Sequence, residues 1–138
     1  MRAIDYIVIH CTATSATTKV GNILKYWKNR LGWKNPGYHF IIEADGFIHQ
    51  LQPIDKPSNG VSGYNANSIH ISYVGGIDQK GNAHDTRTPM QKNAMEGLIK
   101  ALHGVYGKAK IQGHRDFPNV AKSCPSFEVK DYLKEIGL

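Results

Sequence analysis

Cysteine is scarce in this chain, with only Cys11 and Cys124 among 138 residues. Two thiols cannot build a disulfide framework, so the fold must rest on a packed core, with one disulfide at most. Long apolar runs are missing too: no stretch approaches the ~18–20 residues of a membrane-spanning helix. The segment from Met1 to His10 is interrupted by Asp5 and followed by no small-residue cleavage site. Neither a secretory leader nor membrane insertion is therefore expected. Synthesis in the cytoplasm is, and any work outside would require release by other means. HExxH and paired CxxC motifs are absent, as are repeats, low-complexity tracts and linkers. Acidic residues are outnumbered 11 to 17 by Lys and Arg, giving a net charge of +6. That excess steers anionic partners toward the protein. The basic residues are scattered, however, and no aromatic–basic RNA motif occurs, so nucleic acid is not an expected partner.

What is present fits one domain spanning residues 1–138. Residues 4–11 are β-branched and apolar with little alternation, the pattern of a central strand buried on both faces. Val20, Ile23, Leu24, Trp27 and Leu31 recur at helical spacing, and Gly32 offers a stop. Tyr38 to Glu43 and Phe47 to Leu51 read as strands around Asp45-Gly46, a tight primed-turn signal. Residues 53–68 hold two prolines, two glycines and three asparagines and read as a long loop, a feature that is often functional. Ile69 to Val74 is a further strand ended by Gly75-Gly76. Thr88 can cap a helix, with Pro89 in its first turn and Gln91 reaching back. Ala94, Leu98, Ile99, Leu102, Val105 and Tyr106 form its predicted buried stripe. A short strand at Lys110 to Gln112, a loop over 113–125 and a terminal helix carrying Phe127, Val129, Leu133 and Ile136 complete the chain. The order β-α-β-β-β-α-β-α predicts an α/β layer structure.

Three side chains that zinc accepts stand where strands end: His10, His114 and Cys124. Three protein ligands leave a fourth position for water, the catalytic pattern, and bound water of that kind ionises near pH 7. Spacing alone leaves plain structural readings open. His10 also fits a hydrogen-bonded strand histidine, His114 a surface loop residue, and Cys124 a small buried hydrophobe. Cys11 should face away from His10, because successive strand side chains point to opposite faces. By the same rule only one of Tyr38 and His39 can look into a shared site.

These residues lie in segments that resemble the type-2 N-acetylmuramoyl-L-alanine amidases, which include short phage endolysins and peptidoglycan recognition proteins. The matching segments are Ile7 to Thr14, Gly37 to Ile42 with Asp45-Gly46 after it, Asn67 to Ile69, Val74 to Asp78, Gly113 to Asp116 and Ala121 to Phe127. They occur in the family's order from residue 7 to residue 127. The resemblance implies a single α/β domain with a central mixed β-sheet of about five or six strands flanked by helices. It implies Zn2+ held by His10, His114 and Cys124, with Tyr38 and Lys122 acting beside it. It implies hydrolysis of the amide between N-acetylmuramic acid and L-alanine, with peptidoglycan as partner and a monomer expected. Some relatives carry a glutamate base on the strand matching Ile69 to Val74; this chain has His70 and Ser72 there and no carboxylate, which is nearer the phage type.

Within that reading, Lys122 is held near the metal by its two-residue separation from Cys124 and would stabilise a tetrahedral oxyanion. Tyr38 would hydrogen-bond the oxyanion or water, or pass a proton. Asp116 would either orient a ligand histidine or cap its loop. Asn65, Asn67 and His70 are candidate substrate contacts. Two rivals are a peptidoglycan-binding module without catalysis, which the presence of Cys124 disfavours, and a structural zinc domain. The latter would need a fourth ligand from His39, His49 or His70.

Overall fold

The computed structural model describes residues 2–138. Five strands form one mixed sheet: β1 (Tyr6–Cys11), β2 (Phe40–Ile42), β3 (Ile48–Gln50), β4 (Ser68–Tyr73) and β5 (Lys110–Gly113). Their order is β3-β2-β4-β1-β5. β1 runs parallel to β4 and β5, and β2 runs parallel to β4. Only β3, at the edge, is antiparallel. Three helices complete the chain: α1 (Val20–Asn29), α2 (Pro89–Val105) and α3 (Val129–Glu135). Element order and fold class are those expected.

β1 is central, and alternate side chains divide between two covered faces. Ile7, Ile9 and Cys11 pack with Ile69, Ile71 and Tyr73 of β4 beneath α2 and α3. Val8 joins Val61 and Phe117 on the other face. There α1 lays Val20, Ile23 and Trp27, three and four residues apart, on Ile41 and Val74. Cys11 is thus turned away from His10, and both cysteines are free thiols.

α2 begins as expected: Thr88 Oγ1 accepts from the Gln91 amide, Gln91 Oε1 accepts from the Thr88 amide, and Pro89 occupies the first turn. Gln91 is buried and its Nε2 also donates to Ile42 O and Val74 O, tying the helix start to two strands. The buried stripe is Gln91, Met95, Ile99 and Leu102, and Val105 is 73% exposed. Of the predicted stripe, Ile99 and Leu102 are buried, Ala94, Leu98 and Tyr106 pack against the core and only Val105 lies outside; Gln91 and Met95 widen the buried face at its start, where the polar Gln91 finds carbonyl partners inside. The Asp45-Gly46 connection also differs. Glu43 O accepts from Gly46 N at 2.8 Å, Glu43 N donates to Phe47 O at 3.0 Å, and only Gly46 has positive φ, at 87°. Residues 44–46 thus form a three-residue loop with glycine in the left-handed position, not a two-residue primed turn.

Candidate metal centre

The site grows out of strand register. β1 and β5 are parallel neighbours with Ile9 opposite Gly113. The next residues, His10 and His114, therefore leave adjacent strand ends together, with ring centroids 4.9 Å apart. Asp116 Oδ2 accepts from the Gly113 amide at 2.8 Å, so Asp116 caps this turn and orients no ligand. The chain then doubles back, and Arg115 N donates to Cys124 O at 2.9 Å. Tyr73 Oη donates to Pro125 O at 2.6 Å and Ser126 Oγ to Gly76 O at 2.9 Å, pinning that loop to the sheet.

The result is one cluster. His10, His114 and Cys124 each offer a donor atom, all within 4.8 Å of one another, and this is the one such group among the described residues. Cys124 Sγ stands 3.8 Å from His10 Nδ1. Ligands on bonds of about 2.0–2.3 Å at tetrahedral angles sit roughly 3.5 Å apart, so the trio fits a single zinc-sized cation. Burial, followed by the neighbouring His70, His114 and Lys122, pushes His10 well below the ordinary histidine value. Burial and then Lys122 hold His114 at about 4. Both rings are neutral at pH 7, the form that ligates a metal. The Cys11 thiol alongside, with burial, pushes the Cys124 thiol up, whereas the Cys11 amide donates to Sγ at 3.1 Å. A cation is the group that would hold that sulfur as thiolate.

None of the nominal fourth ligands joins. His49 Nε2 pairs with Glu43 at 2.8 Å, and His39 is buried against Ser58 and the Lys56 carbonyl. His70 presents Nδ1 to His10 Nε2 at 2.8 Å from beneath. Among the described residues the group has three donors, not the four a structural zinc site usually uses.

The group borders a cleft of about 200 Å³ whose walls include Tyr38, Trp33, Gly60, Lys122, His114 and Cys124. A hollow of about 370 Å³ adjoins it along α1 and shares Thr12, Ala13, Trp27 and Tyr38. Of the Tyr38–His39 pair it is Tyr38 that faces the cluster, its ring 4.9 Å from His10 and its hydroxyl donating to Cys11 O at 3.2 Å. Burial raises the Tyr38 pKa, so the phenol keeps its proton.

The candidate substrate contacts are corrected. His70 is fully buried and bonds His10 and Asn65. Asn65 turns its Oδ1 inward to Val61 N and His70. Asn67 donates to Asp5 Oδ2 at 2.9 Å, at the end of β1 remote from His10. The same loop lines the cleft with Asn59 and Gly60 instead. One sequence signal pointed inward: Ser68, His70 and Ser72 alternate with Ile69, Ile71 and Tyr73 on a strand buried throughout.

Three donor groups that could hold a metal ion, at a cleft on a sheet whose other face is sealed by helices, are the arrangement of a hydrolase domain. Residues 1–127 match the model of the N-acetylmuramoyl-L-alanine amidase family, and the chain belongs to that family. An endolysin of Enterobacteria phage K11 is 40% identical over 127 residues, covering 91% of this chain and 83% of that protein. The endolysin of Escherichia phage T7 is 36% identical over 132 residues, covering 95% and 86%. Among solved structures, the Ph2119 endolysin from a Thermus scotoductus bacteriophage superposes with a TM-score of 0.83 at 25% identity, over 100% of this chain and 88% of that one. Bumblebee PGRP-SA shares the fold with a TM-score of 0.78 at 22% identity, over 97% and 82%. The enzyme is an N-acetylmuramoyl-L-alanine amidase, and its substrate is peptidoglycan.

Proposed function

We propose that the chain is a zinc-dependent, endolysin-type amidase whose ion is held by His10, His114 and Cys124, with Lys122 and Tyr38 acting on the substrate. The observation that carries this reading is the convergence of those three donors, two of which, His114 and Cys124, line the cleft together with Lys122. Zinc there would supply Lewis-acid polarisation of the scissile carbonyl and activation of a water nucleophile. The Lys122 ammonium, exposed at the cleft wall, meets the negative charge that develops on the amide oxygen. The Tyr38 hydroxyl supplies a proton donor on the same side as His10. The adjoining hollow along α1 shares Thr12, Ala13, Trp27 and Tyr38 with the cleft and offers further room for the substrate. All donors come from one chain, so a monomer suffices.

Among the described residues no helix is long and apolar enough to cross a membrane. From its likeness to phage endolysins, we assign its action to the cell wall after release from the cell. The test is to incubate the purified protein with isolated peptidoglycan and measure new L-alanine amino termini together with bound metal. One zinc per chain and chelator-sensitive release are expected. Binding to peptidoglycan without new amino termini would establish the non-catalytic module instead.

A further inference from the structure

The floor beneath the metal cluster carries a line of polar contacts whose proton directions are set by one backbone group. Val61 N–H donates to Asn65 Oδ1 at 2.8 Å, and a backbone amide only donates, so that atom of the Asn65 side chain must be its oxygen. His70 Nε2 lies 2.8 Å from the same oxygen, which has no proton to give, so Nε2 bears a ring proton. No carboxylate is hydrogen-bonded to His70 among the described residues, and its surroundings are His10, His39 and Asn65. The ring carries that one proton, and Nδ1 is a bare acceptor. His10 Nε2 lies 2.8 Å from this bare nitrogen and has to donate to it. The lone pair of His10 is then on Nδ1, the nitrogen 3.8 Å from Cys124 Sγ.

We propose that His70 is a positioning residue: it passes a direction fixed by the Val61 amide, through Asn65, to His10, and so presents His10 Nδ1 to the metal. The fold makes room for this. A Cβ on Gly60 would collide with the His70 ring, including Nδ1, so the glycine that lines the cleft also lets the imidazole rise under His10. A partner that fixes tautomer and ring orientation typically carries 10–100-fold in metal affinity.

This inference rests on His10 being a ligand. Its test is in two parts. In metal-free protein labelled with nitrogen-15, NMR should find the shared ring proton on His10 Nε2, with coupling across the hydrogen bond to His70 Nδ1. Zinc affinity, by competition with a chromophoric chelator, should fall about 10–100-fold in His70→Leu, which removes the acceptor. His70→Asn should stay near wild type, because its Oδ1 can accept from His10 Nε2–H. Gly60→Ala should weaken zinc in the same direction while altering no ligand. A ring proton on His10 Nδ1 or His70 Nδ1 would overturn the proposal, as would unchanged zinc affinity in His70→Leu. If His70→Leu fails to fold, the wild-type spectrum with His70→Asn and Gly60→Ala decides: a loss of zinc affinity of about 10–100-fold in His70→Asn, or no loss in Gly60→Ala, would reject it. Wild-type protein that binds no zinc would bring down the ligand reading and this one together, whereas normal binding with an indifferent His70→Leu would bring down this one alone.

Discussion

The two faces of the central sheet come from alternate residues of the same strands, yet only one of them sets buried polar side chains among its apolar ones. Under α2 and α3 lie Ile7, Ile9, Ile69, Ile71 and Tyr73, all fully buried. On the other face His10, His70, Ser68 and Ser72 are buried just as completely. Burying an isoleucine contributes roughly 1.5–3 kcal/mol, whereas a buried imidazole costs free energy unless its nitrogens are partnered. They are partnered: no buried side-chain nitrogen or oxygen among the described residues lacks a hydrogen bond. The apolar face supplies the net stability, and the polar face, held on its back, is free to carry chemistry. A parallel sheet normally reads as apolar on both faces; here one face has been given over to the site.

That contrast is broken most severely by Cys124→Ala. The loop around Cys124 is held by Tyr73 Oη to Pro125 O and by Arg115 N to Cys124 O, contacts that alanine keeps. Bound zinc and peptidoglycan cleavage should both vanish while metal-free stability changes by no more than about 1 kcal/mol. Full lytic activity in this variant would refute the metal assignment. The reverse experiment is Ile71→Ala on the apolar face. It should cost about 2–5 kcal/mol in chemical denaturation and leave turnover unchanged well below the melting temperature. A change in kcat at that temperature would show that the two faces are not separable. Lys122→Ala comes next, with kcat lower by about 10²–10³ and zinc content unchanged, as for loss of one oxyanion donor. An unaltered kcat would remove Lys122 from the reaction.

Much of this division was legible in the sequence. Period-2 alternation separated His10 from Cys11, and the structure places them as that rule requires; Tyr38 and His39 precede β2 and escape the rule, both lying on the polar side with only Tyr38 at the cluster. Ligand-type residues at and beyond strand ends offered three candidate donors, but spacing left each open and only the family resemblance assigned them; the structure brings the three together. What could not be read depends on partners far along the chain. Asn65 looked like a solvent-facing loop residue, but the Val61 amide and His70 draw it inward. Gln91 read only as a capping residue, but its Nε2 also reaches the carbonyls of Ile42 and Val74 and is buried with them. Local propensity carries no information about such acceptors.

The smallest effect expected concerns His39, on the polar face but outside the metal cluster. Its ring is buried against Arg2, Ser58, the Lys56 carbonyl and the His70 amide, and no carboxylate is hydrogen-bonded to it. Burial, helped by the Arg2 guanidinium and opposed by the Lys56 carbonyl, lowers its pKa to about 4. In the unfolded chain the value returns to about 6.5. Between those values the unfolded state binds the proton and the native state does not. Stability is therefore complete above about pH 6.5 and declines as pH falls toward 4, with a slope of at most about 1.4 kcal/mol per pH unit from this one group. Metal release would mask the slope in wild type, so the comparison belongs in Cys124→Ala protein, with and without His39→Gln. Urea denaturation from pH 7.5 to 4.5 should show a shallower decline once His39 is gone. Parallel curves would mean that His39 titrates alike in both states, and the polar face would then owe its acid sensitivity to the cluster histidines alone.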